Sequence, residues 1–352
     1  MPSFPDARAA GSRDADVVLD VLFHPFQTQA LAWPREGGAL FLRARDGWPL
    51  HARPLPGLVC EQTFKPAFDA LQRSGLTVRA DEVEGRFPLV LVLPPRQRDE
   101  ARALFARAVA QAGPDGIVVA CMHNDEGART GQGDLARLAG PLGVLSKQHC
   151  RVFWTHPGNA VDVGLRDDWR VLDAPRPVAG GRFTSRPGMF AWDRIDPASA
   201  LLASHLPTDL AGEAADLGAG TGYLALEVLA RCPAVRSLDL YEAEARALEL
   251  ARGNLGGHPH VGFHWHDVTQ GLPRAFDAIV TNPPFHAQGR AGRPDIGRRF
   301  IAAAADALRP RGRLVLVANR HLPYEGVLDA RFANARVLAQ AHGFKVIEAV
   351  RG

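Results

Sequence analysis

Asp216-Leu-Gly-Ala-Gly-Thr-Gly222 joins a short apolar run, Ala214–Leu217, to a helical pattern, Tyr223–Arg231. Glycines at 218, 220 and 222 let a backbone turn tightly and approach a ligand, and the start of the following helix offers free N–H groups. G-x-G-x-G by itself is common to several nucleotide-binding folds. Asp216, two residues ahead of the first glycine, separates them, because a carboxylate there suits a cationic ammonium better than a pyrophosphate.

Outward from this segment, strands and helices alternate. Downstream, the pattern predicts strand Ser237–Tyr241, helix Glu244–Asn254, strands Val261–Trp265 and Ala278–Thr281, helix Gly297–Leu308 and strand Arg313–Ala318. That succession describes a doubly wound α/β domain with a parallel sheet. Upstream, strand Ala39–Leu42, helix Phe64–Ser74, strand Leu89–Leu93, helix Asp99–Ala112 and strand Ile117–Ala120 repeat the alternation. Residues 157–182 turn rich in Pro, Gly, Asp and Arg and read as a linker. Two tandem Rossmann-like α/β domains are therefore expected, at 16–156 and 183–352, with a frayed tail before them. The halves also echo each other. Val92-Leu-Pro-Pro95 and Pro114-Asp-Gly116 mirror Val280-Thr-Asn-Pro-Pro284 and Pro310-Arg-Gly312, and Val144–His149 mirrors Val337–His342. Such order and spacing point to an internal duplication.

Glu242 closes the strand after the glycine segment, where a carboxylate can accept both hydroxyls of a ribose. Asp267 follows the next strand and can accept from an adenine amino group. Ammonium, ribose and adenine edges together describe S-adenosylmethionine. Thr281-Asn-Pro-Pro-Phe-His286 then follows the strand at Ala278–Thr281. Two prolines stop the ladder and fix an extended loop, leaving the Asn282 side-chain oxygen and the Pro283 carbonyl as acceptors. Two acceptors can hold both hydrogens of a planar exocyclic amine and draw its lone pair out of conjugation. Phe285 offers a face on which a base can stack.

These residues resemble class I S-adenosylmethionine-dependent methyltransferases acting on amino nitrogens. They are most similar to the bacterial ribosomal RNA (guanine-N2) methyltransferases, of the small-subunit methyltransferase C type and its large-subunit relative. Pro187-Gly-Met-Phe190, Asp196-Pro-Ala-Ser199, Val317-Ala-Asn-Arg-His-Leu-Pro-Tyr324 and Gly343-Phe-Lys-Val346 support the resemblance, which is strong over 183–349. Ala198 departs from it, standing where the family usually has Gly. The resemblance implies that Asp216, Gly218, Gly220, Gly222, Glu242 and Asp267 bind S-adenosylmethionine and that Asn282, Pro283 and Phe285 hold the target guanine. It implies in-line methyl transfer to guanine N2 in ribosomal RNA of the 16S kind, with positioning as the main catalytic contribution and no metal. Leu93-Pro-Pro95 replaces Asn282-Pro-Pro284 in the first half, which lacks the glycine motif. The resemblance thus makes that half a degenerate domain, structural or RNA-binding, without cofactor. Related loops serve adenine N6 and a protein glutamine amide; these, and a non-catalytic RNA-binding assembly factor, stay as alternatives.

Composition bounds the rest. Of 352 residues, 46% are hydrophobic and 22% charged, which excludes a disordered or collagen-like chain. Apolar runs fall short of the roughly 18 residues that span a bilayer. The start carries Asp6, Asp14 and Asp16 instead of an apolar leader, so a cytoplasmic protein without a membrane partner is expected; a monomer is expected too, though no sequence feature fixes the oligomeric state. Cys60, Cys121, Cys150 and Cys232 are dispersed and read as reduced thiols. His258, His260, His264 and His266 lack nearby cysteines and read as strand neighbours, not metal ligands. Net charge is +3, and only Lys65, Lys147 and Lys345 among the 41 basic residues are lysines. Arg290, Arg293, Arg298, Arg299, Arg309, Arg311, Arg313 and Arg320 cluster in sequence against Asp295 and Asp306. Of these, Arg290, Arg293, Arg298, Arg299 and Arg320 are the candidates to hold phosphates of ribosomal RNA or the small ribosomal subunit.

Overall fold

A computed structural model describes residues 16–284 and 294–352. The chain divides into two compact units, one reaching Gln62 and resuming over Ala67–Leu172, the other comprising Thr63–Pro66 and Asp173–Gly352. The first holds α1 Val17–Gln27, β1 Ala39–Leu42, β2 Leu58–Glu61, all but the first two residues of α2 Lys65–Arg73, β3 Val78–Arg79, β4 Phe87–Val92 and α3 Arg98–Gln111. It continues with β5 Ala112–His123, α4 Ala128–Ala139, β6 Gly143–Lys147, β7 Cys150–Thr155 and α5 Val163–Arg170. The second holds β8 Arg176–Val178, β9 Phe183–Ser185, α6 Pro197–Ser204, β10 Ala211–Leu217, α7 Tyr223–Arg231, β11 Ala234–Glu242 and α8 Ala245–Leu255. After them come β12 Val261–Trp265, β13 Phe276–Thr281, α9 Pro294–Ala307, β14 Leu308–Asn319, α10 Glu325–Arg331, β15 Asn334–Ala341 and β16 Phe344–Val350.

Each unit is built on a seven-stranded sheet, in the order β3-β2-β1-β4-β5-β7-β6 and β12-β11-β10-β13-β14-β16-β15. The two orders are the same, and in each sheet only the pairings made by β7 or β16 are antiparallel. Central strands are apolar on both faces because helices cover both. In β13, Ala278 and Val280 pack in a layer with α6, α7 and α8, while Ile279 packs opposite with α9 and α10. All four cysteines are free and buried.

The stretch expected as a linker is structured over much of its length. It carries α5 and β8, and the boundary between the units falls inside it, between Leu172 and Asp173. Asp162 starts α5 by accepting the Leu165 N–H at 2.9 Å, and Trp169 anchors the helix in the first unit's core. One cap and one buried tryptophan outweigh a Pro/Gly-rich composition.

Candidate active site

Chain order reverses between β10 and β13, which opens a crevice at the carboxyl ends of the parallel strands. Asp216, Glu242, Asp267 and Asn282 stand at or just past those ends on β10, β11, β12 and β13. The four strands are adjacent, so at the usual strand spacing the row is about 14 Å long.

The glycine loop has φ of 70° at Gly218, 55° at Gly220 and 89° at Gly222, all left-handed. A Cβ would lie 2.7 Å from Leu255 at Gly222 and 3.2 Å from the Phe300 ring at Gly218, whereas at Gly220 it would meet nothing within 4 Å. Gly218 and Gly222 therefore serve close packing, and Gly220 borders open space. The Gly218 N–H donates to the Tyr241 carbonyl at 2.8 Å, and the Gly220 N–H to Glu242 Oε2 at 2.7 Å. Sequence reasoning missed Asn254, whose Nδ2 donates to the Thr221 carbonyl at 2.8 Å and the Thr184 carbonyl at 2.9 Å. Its Oδ1 accepts the Thr184 N–H at 2.7 Å, so one amide fastens the glycine loop to β9.

The acids differ in how far the protein satisfies them. Glu242 is half-buried; its second oxygen accepts the Glu244 N–H at 2.8 Å, and burial raises its carboxyl above the usual range. Asp216 is fully buried; the Ala225 backbone N–H holds its carboxyl down a little, and neither oxygen has a partner at full hydrogen-bond geometry. Burial, then the charge of Glu242, pushes it up to about 8. A buried carboxyl left this way is costly, and a cationic group in the crevice would satisfy it. Asp267 Oδ1 accepts the Thr269 N–H at 2.9 Å and its hydroxyl at 2.7 Å, so that oxygen is spent on capping a short turn.

At the tip of β13 the Thr281 hydroxyl donates to the Leu217 carbonyl at 2.6 Å, tying β13 to β10. Pro283 is buried. Asn282 Nδ2 donates to Asp196 Oδ2 at 3.0 Å and Ser199 Oγ at 2.8 Å, while its Oδ1 is buried without a partner. Asp196 also caps α6, accepting the Ser199 N–H at 2.8 Å. Phe285, Arg290 and Arg293 lie outside the described residues.

The arginine cluster does not form one surface. Arg309 pairs with Glu213 at 2.6 Å and Asp277 at 3.0 Å, and Arg313 with Asp209 at 2.8 Å and with Glu348. Both, with Arg311, sit at the start of β14, the edge of the sheet opposite the crevice. Arg298 pairs with Asp295 at 3.0 Å; Arg299 and Arg320 are exposed, and Arg320 follows the crevice end of β14. His264 stacks on Tyr241 at 4.6 Å, and His266 Nε2 lies 2.6 Å from the Gly271 carbonyl. Among the described residues no group of His, Cys, Asp or Glu could hold a metal ion, and no helix is long and apolar enough to cross a membrane.

Register identifies the matching positions in the first unit. Leu42 pairs with Val92 and Glu61 as Leu217 pairs with Thr281 and Tyr241. Leu93 thus takes the place of Asn282, Gln62 that of Glu242, and Arg43 that of Gly218. Arg43 keeps a left-handed φ of 56°, and the Ala44 N–H donates to the Glu61 carbonyl at 3.0 Å.

Residues 180–348 match the family model described as Methyltransferase small domain. Ribosomal RNA small subunit methyltransferase C of Pseudomonas aeruginosa (strain LESB58) is 31% identical over 315 residues, covering 87% of this chain and 89% of its own length. The protein of that name from Psychromonas ingrahamii is 27% identical over 271 residues, covering 76% and 77%. Among solved structures, the T. thermophilus 16S rRNA N2 G1207 methyltransferase, in complex with AdoMet and guanosine, matches with a TM-score of 0.78 at 24% identity. That match covers 96% of this chain and 92% of that one, and shows a shared two-domain fold.

Proposed function

Because the chain belongs to the ribosomal RNA small subunit methyltransferase C family, we propose that it transfers a methyl group from S-adenosylmethionine to the exocyclic N2 amine of a guanine in 16S ribosomal RNA. One observation carries the reading: the Asn282 oxygen is a buried, unpartnered acceptor at the strand end beside the glycine loop. With the Pro283 carbonyl it offers two acceptors to a group bearing two hydrogens. That set suits an amine and repels a carbonyl oxygen. Hydrogen bonds to both amine hydrogens favour a pyramidal nitrogen, whose lone pair can then leave the ring's conjugation. Phe285 is assigned to stacking on the base by its place in the sequence.

The row of acids fits the cofactor, and the orphaned Asp216 carboxyl is the observation that tests it. S-adenosylmethionine, when bound, supplies an electrophilic methyl group. Asp216 would face its ammonium, Glu242 its ribose hydroxyls through lone pairs the backbone leaves free, and Asp267 its adenine. Gly220, with no room taken by a side chain, would let the backbone come close. The protein's contribution is then positioning and electrostatic complementarity.

Labelled S-adenosylmethionine incubated with small ribosomal subunits or free ribosomal RNA, followed by nuclease digestion, tests the reading. Label is expected in N2-methylguanosine; label in N6-methyladenosine or in protein overturns it. Asn282→Ala should lower transfer by about 100-fold or more, the scale of losing a preorganised polar group, with cofactor affinity little changed by calorimetry.

A further inference from the structure

We propose that Asp196 and Ser199 are positioning residues for this reaction: they hold the Asn282 carboxamide so that its oxygen, and not its nitrogen, faces the substrate. The inference rests on Asn282 being the acceptor for the amine. A carboxamide turns about its last torsion between two broad, nearly equivalent orientations. One presents an acceptor to the incoming amine; the other presents N–H groups that repel it. Nothing within Asn282 chooses between them.

The choice is made by α6. Both Nδ2 hydrogens are taken, by Asp196 Oδ2 at 3.0 Å and Ser199 Oγ at 2.8 Å. Ser199 by itself does not discriminate, since a hydroxyl can donate as well as accept. Asp196 does, because a flipped amide would set its oxygen against a carboxylate oxygen with no proton between them. Hydrogen bonding to an anion also polarises the amide and strengthens Oδ1 as an acceptor. The holder is itself held. Asp196 Oδ2 accepts the Ser199 N–H at 2.8 Å, and Ala198 and Leu202 of α6 are buried in the same core layer as Ala278 and Val280 of β13.

Asp196→Ser, Asp196→Asn and Ser199→Ala separate this role from helix capping. A serine can still cap α6 but is too short to reach Asn282; an asparagine keeps an oxygen for both partners. Single-turnover transfer to small ribosomal subunits is expected to fall about 10- to 100-fold in Asp196→Ser, the weight of a hydrogen bond to a charged group. Thermal midpoint and cofactor affinity should stay near those of the parent. Asp196→Asn should recover most of the rate, and Ser199→Ala should fall between. An undiminished rate in Asp196→Ser overturns the proposal, as does a loss matched by lower stability and cofactor affinity, or one that asparagine does not restore. Failure of the unaltered protein to form N2-methylguanosine would instead overturn the reading of its function.

Discussion

Asp216 is a carboxyl whose ordinary value of 3.8 is moved to about 8, by burial first and by Glu242 second. Its neutral form is thus favoured in the folded chain. Below about pH 4 folded and unfolded chains both hold the proton. Between there and about pH 8 the unfolded chain releases it while the folded chain keeps it, so this group's contribution to stability falls as pH rises and levels off above. Asp216→Asn should therefore raise the thermal midpoint of the cofactor-free protein more at about pH 9 than at about pH 5, while weakening S-adenosylmethionine binding. Equal gains at both pH values would show that the cost of the buried charge had been misassigned. Such a gain in stability with a loss of binding is common where a site holds a poorly satisfied group.

Among the elements, α8 contributes Asn254, which serves both β9 and the glycine loop. Asn254→Ala removes three hydrogen bonds and leaves part-buried backbone groups of Thr184 and Thr221 unpaired. A loss of about 2–4 kcal/mol in urea unfolding is expected, with weaker cofactor binding because the loop is released; unchanged binding would confine Asn254 to stability. The sequence makes α7 and β12 legible at their observed ends, Tyr223–Arg231 and Val261–Trp265, because apolar periodicity stops there at turn residues. It shortens β14, expected over Arg313–Ala318 but beginning at Leu308. The added residues include the Leu308 pairing with Phe276 across a register shift, and backbone pairing through Pro310-Arg-Gly312 leaves no apolar pattern. It shows Asn282 and Asp196 singly but not their contact, since two polar side chains 86 positions apart leave no periodic trace.

At the scale of the whole molecule, charge has to be read in space. Arg309 and Arg320 are near neighbours in sequence, yet β14 carries them roughly 30 Å apart to opposite edges of the sheet. Arg320→Ala should weaken ribosomal RNA binding and lower the slope of log affinity against log salt by about 1. Arg313→Ala should leave that slope alone and lower stability, because it strips a partner from the buried carboxylate of Glu348. Binding measured across a salt series, beside denaturation of the same variants, checks both; a smaller slope in Arg313→Ala would return it to the RNA-facing surface.

The two sheets share an order, but the bend after β1 passes through Arg43, where the bend after β10 passes through Gly218. An arginine at φ 56° is uncomfortable, and it is tolerated because the neighbouring amide still finds the carbonyl across the ladder. In the first unit the side chain at this position differs, and the left-handed turn is kept. A turn of this kind is then recognised by its positive φ just past the first strand, whichever residue occupies it.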